Sequence, residues 1–156
     1  MVVLQIYHGS TVIVEKPKIK IGKFHKDFST GFYCTILEEQ AIRWAKRFGE
    51  GVVNVYEYNP DDSLNILKFD KMTEKWLDFI IACRSGIFHE WDIVEGLMAD
   101  DTIYNYIQQY QDGKISGEAF WVLAKFRYPT HQISFNTKRA LKTIKFKESR
   151  RVYGKK

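Results

Sequence analysis

The chain has 156 residues, is 45% hydrophobic and 15% aromatic, and carries a formal net charge of +5. That is material for one core of ordinary size and too little for a second, so one domain is expected. No run of about eighteen apolar residues occurs, which argues against a membrane-spanning helix. Met1 opens into a strand pattern without the basic start and small-residue cleavage site of a secretory leader, so a cytoplasmic location is expected. Cys34 and Cys83 are too few for a disulfide framework and are expected to stay reduced. The four histidines, His8, His25, His89 and His131, are scattered, and no Cys/His spacing suggests a metal site.

In chain order, Val2-Val3-Leu4-Gln5-Ile6-Tyr7 reads as a strand that delivers His8 and Gly9 at its end. Lys18-Ile19-Lys20-Ile21 alternates as a short strand or an extended loop edge, and Gly22 to Thr30 reads as loop. Residues 38–48 place Ala41, Trp44, Ala45 and Phe48 at i, i+3, i+4 and i+7, a helix ending at Gly49 or Gly51. Val52–Tyr58 alternates as a strand, Asn59-Pro60-Asp61-Asp62 is a turn, and Leu64–Phe69 is a further strand. Thr73 is placed to cap a helix from Glu74 to about Cys83. Trp91–Gly96 reads as strand, Asp100 or Asp101 starts a helix to about Gln109, and a second helix follows near Ser116–Lys125. His131–Phe135 is a strand, Thr137 opens a short helix, and a last strand lies around Lys142–Phe146.

Strands recurring around a few isolated helices predict an α+β fold with a split, mainly antiparallel sheet. The domain is expected over residues 1–148, with 149–156 a basic C-terminal tail. Positive charge gathers at Lys16, Lys18, Lys20, Lys23 and Lys26 and again from Lys138 to Lys156. Such runs read either as solvated surface or as an electrostatic footprint for nucleic acid or an acidic protein.

Four motifs stand in order: Tyr7-His8-Gly9-Ser10; Asp27-Phe28-Ser29-Thr30-Gly31-Phe32-Tyr33-Cys34-Thr35 running into Gln40-Ala41-Ile42-Arg43-Trp44-Ala45; Trp76-Leu77-Asp78-Phe79; and Asp92-Ile93-Val94-Glu95-Gly96-Leu97-Met98-Ala99-Asp100-Asp101. On these the chain resembles the ADP-ribosyltransferases of the diphtheria-toxin and poly(ADP-ribose) polymerase type. It resembles in particular an uncharacterised bacterial and phage-associated family of such domains, from Met1 to about Phe146. Trp44 follows Tyr33 by eleven positions, the spacing of the two aromatics in those enzymes.

The resemblance implies a site for NAD as substrate. In the relatives the motif glycine binds the nicotinamide carboxamide through its backbone and the motif histidine binds a ribose hydroxyl, and Gly9 and His8 match those positions. Ser10 would add a sugar contact. Tyr33 and Trp44 match the aromatics that enclose the pyridinium ring, a cation over a π face being worth about 0.5–2 kcal/mol. Trp44 also has the helical spacing of a core residue. Tyr33 and Trp44 therefore stand beside His8 as NAD contacts.

The third catalytic position departs from the pattern, because Gln132 stands where the relatives carry glutamate. An amide still hydrogen-bonds a ribose 2′-hydroxyl but places no negative charge beside the developing cation. Restoring that charge with Gln132→Glu is accordingly expected to favour hydrolysis. Asp100 and Asp101 read either as the source of the missing carboxylate or as a helix cap and first-turn acid. The catalytic set is His8, Tyr33 and Gln132, with Gly9, Ser10, Trp44 and Asp100 as further NAD contacts.

The implied activity is mono-ADP-ribosyl transfer from NAD to a protein or nucleic acid, in a toxin–antitoxin or phage-conflict setting inferred from the family alone, with a cognate antitoxin as a further partner. An NAD glycohydrolase and a catalytically silent NAD- or ADP-ribose-binding module are the alternatives.

Overall fold

The computed structural model describes residues 3–19, 27–99, 101–125 and 130–154. Its strands are β1 (Leu4–Ser10), β2 (Phe32–Cys34), β3 (Glu50–Tyr58), β4 (Ile66–Lys68), β5 (Ile93–Gly96), β6 (Gln132–Phe135) and β7 (Ile144–Tyr153). Its helices are α1 (Glu38–Ala45), α2 (Glu74–Arg84), α3 (Asp101–Gln111), α4 (Gly117–Lys125) and α5 (Lys138–Leu141). The expected α+β architecture is present as two sheets, β1-β3-β7 and β2-β6-β5-β4, in which the β4–β5 pair is parallel and the rest antiparallel. One antiparallel bridge, Tyr7 to Thr35, joins β1 to the chain just after β2.

Local chemistry accounts for the boundaries. Thr73 accepts the Trp76 N–H at 3.2 Å to cap α2, and Thr137 accepts the Ala140 N–H at 3.2 Å to cap α5. The helix α1 lacks a side-chain cap, but Glu38 and Glu39 sit in its first turn, where the exposed N–H groups favour negative charge. A 3₁₀ turn at Lys46–Phe48 follows, and Gly49, at φ 99°, turns the chain into β3 in a backbone region that side-chain-bearing residues avoid.

The central strand β3 is buried on both faces. Val53 and Val55 pack with Tyr7, Ala41 and Ala45 under α1, while Tyr56 and Tyr58 join Ile6, Phe32, Ile93, Ile133 and Phe135 on the other side. A third cluster gathers Phe28, Trp76, Ile80, Val94, Ile103, Ile107 and Phe120 against the second sheet. Each fully buried Ile, Val or Phe contributes about 1.5–3 kcal/mol by leaving water.

Two expectations are corrected. Residues 149–153, read as part of a basic tail, form the second half of β7, because their charges have partners on the neighbouring elements. Arg151 bonds Glu50 at 2.6 Å, Arg150 bonds Glu148 at 2.7 Å and also Glu38 on α1. Of the two readings of Lys18-Ile19-Lys20-Ile21, Lys18 and Ile19 follow the loop, and Lys20 and Ile21 lie outside the described residues. The Leu64–Phe69 strand shortens to β4, since Leu64 closes the turn through its N–H to the Asp61 carbonyl.

Candidate functional site

The site forms where β1 and β2 part. Tyr7 exchanges both backbone hydrogen bonds with Thr35, each at 2.8 Å. Backbone groups two residues apart on a strand point the same way, so Gly9 turns its N–H and C=O to the side on which Tyr7 meets Thr35. The ladder stops there. Tyr33, which would face Gly9 in the next rung, gives its carbonyl instead to the His8 imidazole, with Nδ1 at 2.6 Å. Among the described residues no backbone group answers Gly9 on that side.

A carbonyl oxygen only accepts, so His8 Nδ1 carries a proton, and Nε2 is the acceptor whenever the ring is neutral. The ring stacks 4.2 Å from Phe32, centroid to centroid, which fixes its plane. Strand alternation puts the His8 side chain on the Phe32 face and the side chains of Tyr33, Ser134 and Gln132 on the other. The site is therefore a slot through the sheet edge, with His8 at one mouth and Tyr33 at the other. Ser10 ends β1, half-buried, its Oγ accepting the Val12 N–H at 3.3 Å.

Gly9 is required by the fold itself. A Cβ there would lie 2.4 Å from the Ala41 carbonyl oxygen and 3.0 Å from Trp44 Cβ, and one at Gly51 would lie 1.9 Å from the Ala45 carbonyl oxygen. Two glycines on the sheet and two alanines on the helix thus bring α1 against β1 and β3. So close an approach leaves no room for an indole on the contact line. Trp44 stands to one side, half-buried and, among the described residues, outside the three core clusters. Its spacing predicted a core position equally well, and the glycine contact is what displaces it.

Tyr33 is held by its hydroxyl, which donates to the Ser29 carbonyl and accepts the Phe28 N–H at 3.2 Å. Ser29 adopts φ 71°, a left-handed conformation that aims its carbonyl at the phenol. Burial pushes the phenol well above its ordinary range, so Tyr33 serves as a neutral ring. The loop that carries it is anchored throughout. Phe28 is fully buried, and its carbonyl accepts from His89 Nε2 at 2.8 Å and Asn136 Nδ2 at 2.9 Å. Gly31 lies so close to Ser134 and Asn136 that a Cβ would meet Ser134 Oγ at 2.6 Å.

Gln132 sits on β6, in register with Gly96 on β5, and is only 4% exposed. Its Nε2 donates to Asp27 Oδ2 at 3.0 Å. Asp27 is the residue that sequence reasoning missed. It was visible inside the Asp-Phe-Ser-Thr-Gly-Phe-Tyr motif, but nothing in the spacing pointed to Gln132, Arg84 or Ala99 as its partners. Asp100 lies outside the described residues, and Asp101 opens α3. The structure thus groups His8, Gly9, Tyr33 and Trp44 around one slot, and links Gln132 to it through the β2–β6 pair and Asp27.

The arginine on Asp92 closes a different structure. Asp92, 1% exposed, accepts from Arg139 at 2.9 and 2.7 Å, Thr137 Oγ1 at 2.6 Å and the Asn65 N–H at 2.9 Å. The surface hollow lined by Asn59, Asp61, Leu64, Arg139 and Lys142 borders this cluster, with its arginine already bound. Among the described residues no three His, Cys, Asp or Glu side chains group as metal ligands. Nor is any helix among them long and apolar enough to cross a membrane.

A family model described as protein of unknown function (DUF3990) matches residues 4–146. The chain belongs to the DUF3990 family. The match takes in the whole slot together with Asp27, Gln132 and the Asp92 cluster, and stops within β7. No curated protein and no solved structure matches the chain.

Proposed function

We propose that this DUF3990 domain is a mono-ADP-ribosyltransferase that consumes NAD and modifies a macromolecule. The observation that carries the reading is the parted β1–β2 edge, where one residue, Gly9, turns its backbone N–H and C=O side by side to a slot flanked by His8, Tyr33 and Trp44. A carboxamide carries the complementary C=O and NH₂, so it pairs with the N–H and C=O of such a residue through two hydrogen bonds. Tyr33 is a neutral, tethered ring suited to lie on a pyridinium face, and Trp44 borders the same glycine. His8 Nε2, as acceptor, suits a ribose hydroxyl.

In the reaction the bond from the nicotinamide nitrogen to the ribose C1′ breaks, and nicotinamide leaves with the electron pair. The acceptor nucleophile then bonds C1′ and loses its proton. Charge on the sugar peaks between these events, so contacts to the ribose hydroxyls that strengthen there lower the barrier. Gln132 contributes such a contact through its amide. A cytoplasmic toxin or phage-conflict effector acting on protein or nucleic acid, restrained by an antitoxin, is the setting that fits this chemistry and the sequence resemblance.

The amide at 132 specifically favours a second reading, an NAD- or ADP-ribose-binding module without turnover, and water as acceptor would make the domain a glycohydrolase. Calorimetry with an unreactive NAD analogue should give binding that His8→Ala and Tyr33→Ala each weaken about tenfold. Unchanged affinity in both variants would sink the site. Nicotinamide release with a labelled macromolecule supports transfer, release without label indicates hydrolysis, and binding without release indicates the silent module.

A further inference from the structure

One buried carboxylate, Asp27, joins three distant segments of the chain. Its Oδ1 accepts from Arg84 Nε at 2.5 Å, and its Oδ2 accepts both the Ala99 N–H at 2.7 Å and Gln132 Nε2 at 3.0 Å. Arg84 is fixed in turn, with Nη2 on the Ala99 carbonyl at 3.0 Å and its guanidinium 3.8 Å above the Tyr104 ring. A carboxylate only accepts, so the Gln132 amide must present its NH₂ to Asp27 and turn Oε1 the other way. No described donor reaches that Oε1.

We propose that Asp27 is the positioning residue of the site: it locks the Gln132 amide so that Oε1 is aimed at a ribose hydroxyl, and holds the site's negative charge one hydrogen bond behind the substrate. This rests on the reading of Gln132 as the ribose contact. It also explains why glutamine stands there. A glutamate at 132 would bring a second carboxylate to about 3 Å from Asp27, and two carboxyl groups at that separation share one proton instead of both ionising. The expectation that Gln132→Glu favours hydrolysis is thereby reversed: the lone substitution is harmful, and the charge is restored only if Asp27 gives up its own.

The test compares wild type, Asp27→Asn, Gln132→Glu and the exchanged pair Asp27→Asn/Gln132→Glu. Nicotinamide release from NAD is followed between about pH 5.5 and pH 9, with thermal melts for each chain. Among the described residues the charged and titratable groups facing Asp27 are Arg84 and Cys83 on α2 and Tyr33 on β2; burial pushes Cys83 up to about 12 and raises the Tyr33 phenol well above its ordinary range, so neither titrates in this window. Asp27→Asn should lower kcat about tenfold with KM for NAD little changed, as expected for a contact that matters most in the transition state. Gln132→Glu should fall at least about tenfold at high pH and recover toward low pH, an acid limb that wild type lacks. The exchanged pair should return to within about threefold of wild type with a flat profile, though without one acceptor for Ala99 N–H.

An exchanged pair that folds yet is no better than either single variant overturns the proposal. Should Asp27→Asn fail to fold, Gln132→Glu, which leaves Asp27 and Arg84 in place, still decides: wild-type rate and a flat profile in that chain overturn the proposal. Wild type that neither binds the NAD analogue nor releases nicotinamide overturns the underlying reading and this one together. Wild-type turnover with an unperturbed Gln132→Glu overturns this one alone.

Discussion

Asp27 and Asp92 are two nearly sealed carboxylates, each with an arginine, a backbone N–H and one neutral side-chain donor, yet they are held in opposite ways. Arg139 grips Asp92 with two parallel bonds, first among the causes that hold its carboxyl well below the usual carboxylate range. Arg84 reaches only one oxygen of Asp27, and burial outweighs that attraction, raising the carboxyl above its ordinary value. The partners differ too. Asp92 ties Asn65, just before β4, to the cap of α5, all of it scaffold. Asp27 ties α2 and the Ala99 segment to an amide with one unanswered oxygen. A buried acid whose every partner is framework fastens the fold; on the proposed reading, the acid whose amide partner has an unanswered oxygen serves a ligand.

The largest effect expected from this contrast is on stability. Asp92→Ala leaves Thr137 and the Asn65 N–H without their acceptor and releases the mostly exposed Arg139 to water; it should cost about 3 kcal/mol in urea unfolding, while the remaining folded protein binds the NAD analogue as wild type does. Impaired binding at full occupancy of the fold would erase the distinction between the two acids. Gln132→Ala should reverse the pattern. Turnover should fall about a hundredfold, and stability by only about 1–2 kcal/mol, for the donor withdrawn from Asp27.

A third measurement uses pH. Because the folded pKa of Asp92 is depressed, the unfolded chain binds more protons as conditions become acidic, so its contribution is present above about pH 4 and is lost as pH falls through the folded value. The melting temperature of wild type should drop below about pH 4, and that slope should flatten in Asp92→Asn. The smallest effect is that of Thr137→Ala, which removes the α5 cap and one bond to Asp92 and should cost about 1 kcal/mol with unchanged turnover.

Much of this was legible in the sequence. Alternation and capping residues placed β3, β5, β6, α2 and α5, and Tyr7-His8-Gly9 with Gly31-Phe32-Tyr33 marked both strands that border the slot. What the sequence hid was contact between distant segments. Asp27 and Gln132 are 105 positions apart, and Arg84 at the end of α2 reads as an ordinary basic residue near a helix C-terminus. Nor does helical periodicity distinguish Ala41, which touches Gly9, from Trp44, which the same contact pushes aside. The length of β7 escaped because Arg150 and Arg151 look like a solvated run until Glu38 and Glu50 are seen beside them.

β7 runs seven residues past the end of the family match, and its Arg150 and Arg151 lie opposite Val53 and Val52 of the strand that supports α1. A chain shortened to Phe146 would strip that side of β3 of its neighbour from Val55 back to Glu50 and leave a valine-rich row of unanswered peptide groups at the border of the sheet. Such a row is a template for other chains. Preparations trimmed to the span of the family match should therefore associate and precipitate, and expression of soluble protein should track the presence of residues 147–156.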